Sequence, residues 1–374
     1  MAVLGCQILG KRNPMADAVA EQIAALNDED WAIREEAATA LGTLRDPRAV
    51  QPLVSILRDS DRAVREAAIS ALTAIGEPSV PALGLCLSDP QLGVQEAASA
   101  VLALIADDRV LAPLIASLGN RDWIVRMHAA KALGRIKQPS SIEPLIPLLQ
   151  DKVKAVREET TTALAAIGAA AIPSLLAALS HPEWLVRLHA VEALGKMRSP
   201  AAVDPLLFVL FNDTDSAIRE DAIRALGEIG EGRAVEFLFM VMKEKGLRPL
   251  AVEALGRIKD PRAVPVLVEV VRGTNRPEES RPIAGCGDRW DEEMTTMGAA
   301  VRALGEIGDP TTIPTLVGAL QHTVMRADAA ASLVKFGSAV VSFLLPLVNK
   351  EQDENIRYHL KETLAQVGWR PGRV

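Results

Sequence analysis

The sequence predicts an all-α fold, a right-handed α-solenoid of about eleven two-helix repeats of roughly 31 residues each. Three observations predict it. A basic mark recurs along the chain at Arg34, Arg65, Arg126, Arg157, Arg187, Arg219 and Arg248, with Gln95 in the same register, and resumes after an interruption at Met297, Arg326 and Arg357. Seven residues after every mark stands a leucine, from Leu41, Leu72 and Leu102 through Leu133, Leu164, Leu194, Leu226 and Leu255 to Leu304, Leu333 and Leu364. Hydrophobic residues make up 49% of the chain but aromatics only 3%. That diet of Ala, Leu, Val and Ile suits close-packed helices better than sheets.

The chain opens inside a repeat. Leu9 precedes Leu41 in the same register, so 1–26 reads as a partial repeat. It acts as an N-terminal cap, or the natural gene product begins earlier.

Each full unit reads as two helices. In DWIVRMHAAKALGRI, 122–136, Val125, Ala129, Ala132, Leu133 and Ile136 form one apolar helical stripe. Asp30, Asp61, Asp122 and Asp215 sit where a carboxylate caps free N–H groups. Gly76, Gly168, Gly230 and Gly308 follow the last apolar residue, where a left-handed C-cap forms. Asp-Pro at 46–47, 260–261 and 309–310 then reads as N-cap plus first helical residue of the next helix. The acids four residues before the marks, as in Asp30–Arg34 and Asp122–Arg126, predict i,i+4 pairs and a ladder of Arg along the stack. A two-helix unit cannot bury its own apolar face, and stacking buries one continuous seam.

Between repeats 8 and 9 the spacing of the marks grows by roughly 18 residues. The extra residues lie in RGTNRPEESRPIAGCGDRWDEEMTT, 272–296, expected to be an inserted loop. It is a partner-contacting element or a plain surface excursion. Its candidate contact residues are Cys286, Arg289 and Trp290. The last segment, 350–374, carries Arg357, His359, Lys361 and Glu362 and reads as a polar C-terminal cap and tail. The domain reading is thus one solenoid over 1–374.

Composition narrows function. The net charge is −7, from 41 Lys and Arg against 48 Asp and Glu, which argues against a nucleic-acid partner. Three distant cysteines, Cys6, Cys86 and Cys286, suggest neither a disulfide framework nor a CxxC metal site. No apolar run reaches the roughly 18 residues that span a bilayer. The expectation is the cytoplasm, with no membrane span.

The cadence RALGEIGEGRAVEFL at 224–238 and EALGRIKDPRAVPVL at 253–267 resembles bacterial HEAT-like repeats, and more narrowly the short form named after the phycobilin lyase subunits. The resemblance covers nearly the whole chain. It implies that the second helix of each unit lines a concave surface.

Against that frame, the variable positions carry the functional signal. Counted from the mark, −3, −2, +1, +2 and +5 hold Arg62, Ala63, Glu66, Ala67 and Ser70 in unit two, an ordinary solvated face. Unit four instead holds Trp123, Ile124, Met127, His128 and Lys131, and unit six Trp184, Leu185, Leu188, His189 and Glu192. Glu158 and Glu159 lie between them in the chain, and Trp31 occupies the same place in unit one. With helices roughly 8–10 Å apart, the two Trp stand roughly 16–20 Å apart. His128 and His189 therefore cannot share a metal ion, whose ligand bonds are about 2 Å long. Two readings remain open: aromatic anchors of a binding groove, or Trp packed over neighbouring helix starts with His bonded to Glu158 or Glu159.

The expected function is a non-catalytic scaffold or adaptor that grips a partner protein segment and needs no cofactor. The alternative, implied by the resemblance, is a phycobilin-lyase-like subunit that holds a bilin or other apolar cofactor for transfer. Deoxyhypusine hydroxylase has similar repeats, but its iron site uses His-Glu dipeptides, and this chain has none.

Overall fold

The computed structural model describes residues 14–105, 107–273 and 287–369, with only the backbone described at 14–17, 108 and 287–291. Residues 1–13 of the N-terminal partial repeat, and Cys286, lie outside the described residues. Arg289 and Trp290 lie on a described helix, but their side chains do not belong to the described part.

Every described element is helical, and no strand occurs among the described residues. The chain divides into two compact units, Met1–Ser174 and Leu175–Val374. Each is a stack of helix pairs. The first arm of a pair is short and begins as one 3-10 turn, such as Pro47–Ala49 leading into Val50–Ser55. The second arm is a regular helix, and 14 residues is its common length, as in Arg62–Ile75 and Trp123–Ile136.

The expected Asp caps form. Asp30, Asp61, Asp122 and Asp215 each accept the backbone N–H two residues on. Asp46, Asp260 and Asp309 do the same ahead of their prolines. Gly76, Gly168, Gly230 and Gly308 adopt positive φ after their helices; Gly230 is the left-handed cap expected, whereas Gly76 and Gly168 pair positive φ with ψ of −132° and −146°. In four other repeats that left-handed position is filled by Arg45, Lys137, Arg198 or Lys259. A cation at a helix C-terminus is favoured by the helix dipole, which offsets part of the strain.

All eleven register leucines are buried, none more than 1% exposed. A second register sets how closely successive second helices approach. Eight residues after the mark, Gly42, Gly134, Gly227 and Gly256 face Ala71, Ala163, Ala254 and Ala303 of the following helix. A Cβ built on Gly134 would stand 2.6 Å from the Cα of Ala163. The helices touch backbone to backbone, and only hydrogen fits between them.

The marks form a ladder, though not the expected i,i+4 pairs. The Asp four residues upstream is occupied as an N-cap. The guanidinium folds back on its own loop instead: Arg34 donates to the carbonyls of Asp28 and Glu29, Arg126 to Asn120 and Arg121, and Arg187 to His181 and Pro182. Its other edge reaches the loop of the next repeat. Arg126 donates to both carboxylate oxygens of Asp151 at 2.7 and 2.9 Å, as Arg34 does to Asp59 and Arg187 to Asp213. Where the mark is Gln95, the next loop supplies Asn120, whose amide donates to Gln95. The Arg34 guanidinium holds Asp59 below the usual carboxylate range. Burial pushes Asp151 and Asp213 up, but their Arg partners and backbone N–H groups together outweigh it, and both end below that range.

Part of the stretch expected as an inserted loop, 272–296, is helix. The chain is helical from Gly287, and Gly287–Ile307 is the longest described helix at 21 residues. The reason is local: no proline falls between Pro282 and Pro310, and Asp288, Asp291, Glu292 and Glu293 crowd the first turns, where acids favour a helix N-terminus.

Two predictions follow from this packing. Gly134→Ala should lower stability by about 1–3 kcal/mol despite the better helix propensity of Ala. Gly93→Ala, with nothing within 4 Å of the new Cβ, should be neutral or stabilising. Urea melts compare the two. For the ladder, carboxylates with depressed folded pKa stabilise above their unfolded value of about 4, and that contribution is lost as pH falls through the folded values. Asp151→Asn should therefore cost about 1–3 kcal/mol at pH 7 and flatten the loss of stability in acid, read as melting temperature against pH.

Candidate functional site

In the first unit the Asp caps place Trp31 and Trp123 on the first residue of their helices. Both indoles stay open, 49% and 41% exposed. Ile124, Met127, His128 and Lys131 continue the same face and are half-buried. His128 places Nδ1 3.3 Å from the Ser99 hydroxyl on helix Leu92–Ile105. Burial, and then the Lys131 charge, push its pKa below the ordinary value, against a bond to the Glu96 backbone. At neutral pH the ring is uncharged and acts as a hydrogen-bonding, not a cationic, group. Glu158 is exposed and lies 3.3 Å from the Lys154 ammonium, and Glu159 is half-buried.

Between the two Trp-bearing repeats lies a feature that no motif marked. An open, mainly apolar cleft separates helices Arg62–Ile75 and Leu92–Ile105, lined by Glu66, Ile69, Ser70, Thr73, Ala74 and Leu104. Leu104 is 52% exposed. Thr73 stands where the tightly packed helices carry Gly, and Val101 stands where their partners carry Ala. The added bulk holds these two helices apart. That substitution of Thr for Gly in the register was the available signal. Glu66, Ser70 and Thr73 continue the row that Trp occupies at its upstream end, so the cleft and the indoles share one face.

In the second unit, Trp184 also begins its helix and is 46% exposed, with Leu185 and Leu188 half-buried. His189 departs from expectation. It is buried at 6% exposure, with Nδ1 3.1 Å from Glu192 on its own helix. Glu192 in turn binds Lys196 at 2.9 Å. His189 first, then Lys196, hold the Glu192 carboxyl down at about 2 against the cost of burial. The carboxylate three residues on draws the ring against the helix, so His189 is no part of the open face.

Among the described residues no three His, Cys, Asp or Glu side chains converge as a metal site. No single helix among them is long and apolar enough to cross a membrane.

Comparison with known proteins agrees with this architecture. A family model described as HEAT repeats matches seven stretches, six overlapping ones from 5–73 to 205–281 and a seventh at 291–365. The bilin biosynthesis protein RpcF of Synechococcus sp. (strain WH8020) is 32% identical over 103 residues, 28% of this chain and 49% of that protein. Among solved structures, yeast importin-beta (Kap95p) matches at 14% identity and a TM-score of 0.59, over 94% of this chain and 57% of the other. Kap121p bound to Nup53p matches at 14% identity and a TM-score of 0.61, over 94% of this chain and 45% of the other. The chain thus spans about half the length of these relatives, and the likeness to the importins is one of fold. With the repeat model matched along most of its length, and with the leucine register buried in every unit, the chain belongs to the HEAT-repeat family.

Proposed function

We propose that the chain is a non-catalytic scaffold that holds an extended segment of a partner protein against the second-helix face of its first unit. One observation carries the reading: Trp31, the Ile69–Leu104 cleft and Trp123 lie along a single face, with Trp31, Leu104 and Trp123 at positions where most sibling repeats present charged, polar or small groups. Open aromatic and aliphatic groups beside a cleft are the usual anchors of a protein interface. Ile124, Met127 and His128 extend the anchor at Trp123. Glu158 and Glu159 supply an acidic border, which favours a segment carrying Lys or Arg beside its apolar residues. Trp184, Leu185 and Leu188 form a face of the same kind on the second unit, with His189 positioning Glu192 from beneath. HEAT-repeat solenoids are a common frame for such binding, and Kap121p bound to Nup53p is one in which the partner is named.

Peptides selected from a displayed random library on the native chain should carry an aromatic or aliphatic anchor flanked by basic residues. Their affinity should fall about 100-fold or more in a Trp31→Glu/Leu104→Glu/Trp123→Glu variant whose circular dichroism is unchanged. Undiminished binding by that variant would sink the reading.

A second reading has one observation in its favour, the identity to a bilin biosynthesis protein. In it the same aromatic face would hold a flat tetrapyrrole for transfer. The scaffold reading expects that mixing the chain with a free open-chain tetrapyrrole leaves both visible absorption and Trp fluorescence unchanged, since Glu158 and Glu159 oppose its propionates. A stoichiometric spectral shift, abolished by Trp123→Glu, would favour cofactor handling instead.

A further inference from the structure

The opposite side of the second unit carries its own anomaly. The first helices of the repeats Val203–Asn212 and Val235–Val241 expose Phe208, Phe211, Phe237 and Met240 at 67%, 38%, 40% and 56%. The rings of Phe211 and Phe237 meet at 6.2 Å, so the four side chains form one patch across two helices. The repeat supplies the control. The place of Phe208 is held by Ser55, Ala116, Ala177, Glu269 and Gly318 elsewhere, with Leu85 as the large apolar exception. The place of Phe211 is held by Arg58, Gly119, Ser180, Arg272 and Gln321. The fold therefore does not require aromatics here.

We propose that this patch is a two-fold interface through which the chain pairs with a second copy of itself. Three features favour that occupant. The first is area. At these exposures the four side chains offer about 400 Å² of apolar surface, given that each can bury roughly 150–250 Å². A standard interface needs about 800 Å² per partner, somewhat over half of it apolar. The patch alone supplies most of that apolar part.

The second feature is shape. Beside the protruding Phe208 ring lies a groove lined by Leu176, Leu179, Pro205 and Val209, with Phe208 as one wall. A projection and a recess side by side on one face are what a two-fold axis requires, since each copy must fill the recess of the other.

The third feature is charge. The patch is bordered at one end by the exposed carboxylates of Asp204 and Glu236, which lie near Arg233 at 3.3 Å and Arg262 at 3.8 Å. At its other end stands exposed Lys243. An antiparallel crossing of two Val235–Val241 helices brings Lys243 of each copy to the exposed Asp204 and Glu236 carboxylates of the other. A border carrying both signs is complementary to itself, as a single-sign partner surface would not be.

Sedimentation velocity over a dilution series tests this. The native chain should sediment at twice its chain mass at high concentration and dissociate on dilution. Phe208→Glu/Met240→Glu should weaken the dimer about 100-fold or more with an unchanged circular dichroism spectrum. Lys243→Glu should weaken it about tenfold, and Glu236→Lys added to Lys243→Glu should restore it. A native chain that stays monomeric at every concentration overturns the proposal. So does a dimer untouched by Phe208→Glu/Met240→Glu, or a charge swap that restores nothing. The face tested here is separate from the Trp-bearing face, so either proposal can fail without the other.

Discussion

The tightly packed repeats depend on one contact, the approach of successive second helices until backbone meets backbone. A helix pair of this length has an apolar stripe on each arm and no means of covering it alone. The leucine seven residues after each mark supplies the buried bulk, and in six of the eleven repeats a glycine one residue further removes the obstacle to approach. Gly134 against Ala163 and Gly256 against Ala303 leave room for no carbon atom between them. Because such a contact is tight, the helices it joins have little freedom to slide. The side chains on their outer faces inherit fixed spacing, which a binding surface needs.

The Arg marks secure the ends of that contact. The guanidinium of most marks satisfies carbonyls just before its own helix and, at Arg34, Arg126, Arg187 and Arg219, grips a carboxylate in the loop of the next repeat. One planar group thus ties two loops that no regular hydrogen-bond ladder would connect. The loops would otherwise be the weak points of a repeat, since each leaves carbonyls and N–H groups without helical partners. The exchange of Arg for Gln95 and of Asp for Asn120 preserves the tie with an amide pair. Its chemistry can change as long as donors and acceptors stay matched.

The fold was legible because its signals are periodic. The Leu41-to-Leu364 register, the Asp caps and the Asp-Pro starts each repeat often enough to be recognised, and each is local. What depended on a partner across the stack was less legible. The acid–Arg spacing of Asp30 and Arg34 suits an i,i+4 pair, yet Asp30 is taken by the Ala32 N–H and Arg34 turns to Asp59, 25 residues away. His128 and His189 occupy equivalent places, but only the environment of each ring decides that one stays half open and the other is buried. The helix beginning at Gly287 lay hidden in a stretch whose prolines and glycines suggested a loop throughout. The openness of Trp31, Trp123 and Trp184 follows directly from their position at the first helical residue, which the Asp or Glu before them marks.

The same register that reveals the fold also reveals where it has been relaxed. A repeat protein provides its own reference set, because a position with only a structural duty should be filled alike in every copy. Thr73 stands at a place that is glycine in six of the eleven repeats, and a cleft opens beside it. Trp at the first helical residue and Phe on the first-helix surface break the rule that those places are small or polar. None of these departures improves packing within its own repeat. Thr73 forgoes the closest helix contact, and the aromatics leave apolar area in water at a cost of roughly 25 cal/mol per Å². Such a cost has a physical rationale if the exposed surface is covered part of the time by something else. The departures lie on different elements: second helices of the first unit carry the proposed segment-binding surface, and first helices of the second unit the proposed contact between copies.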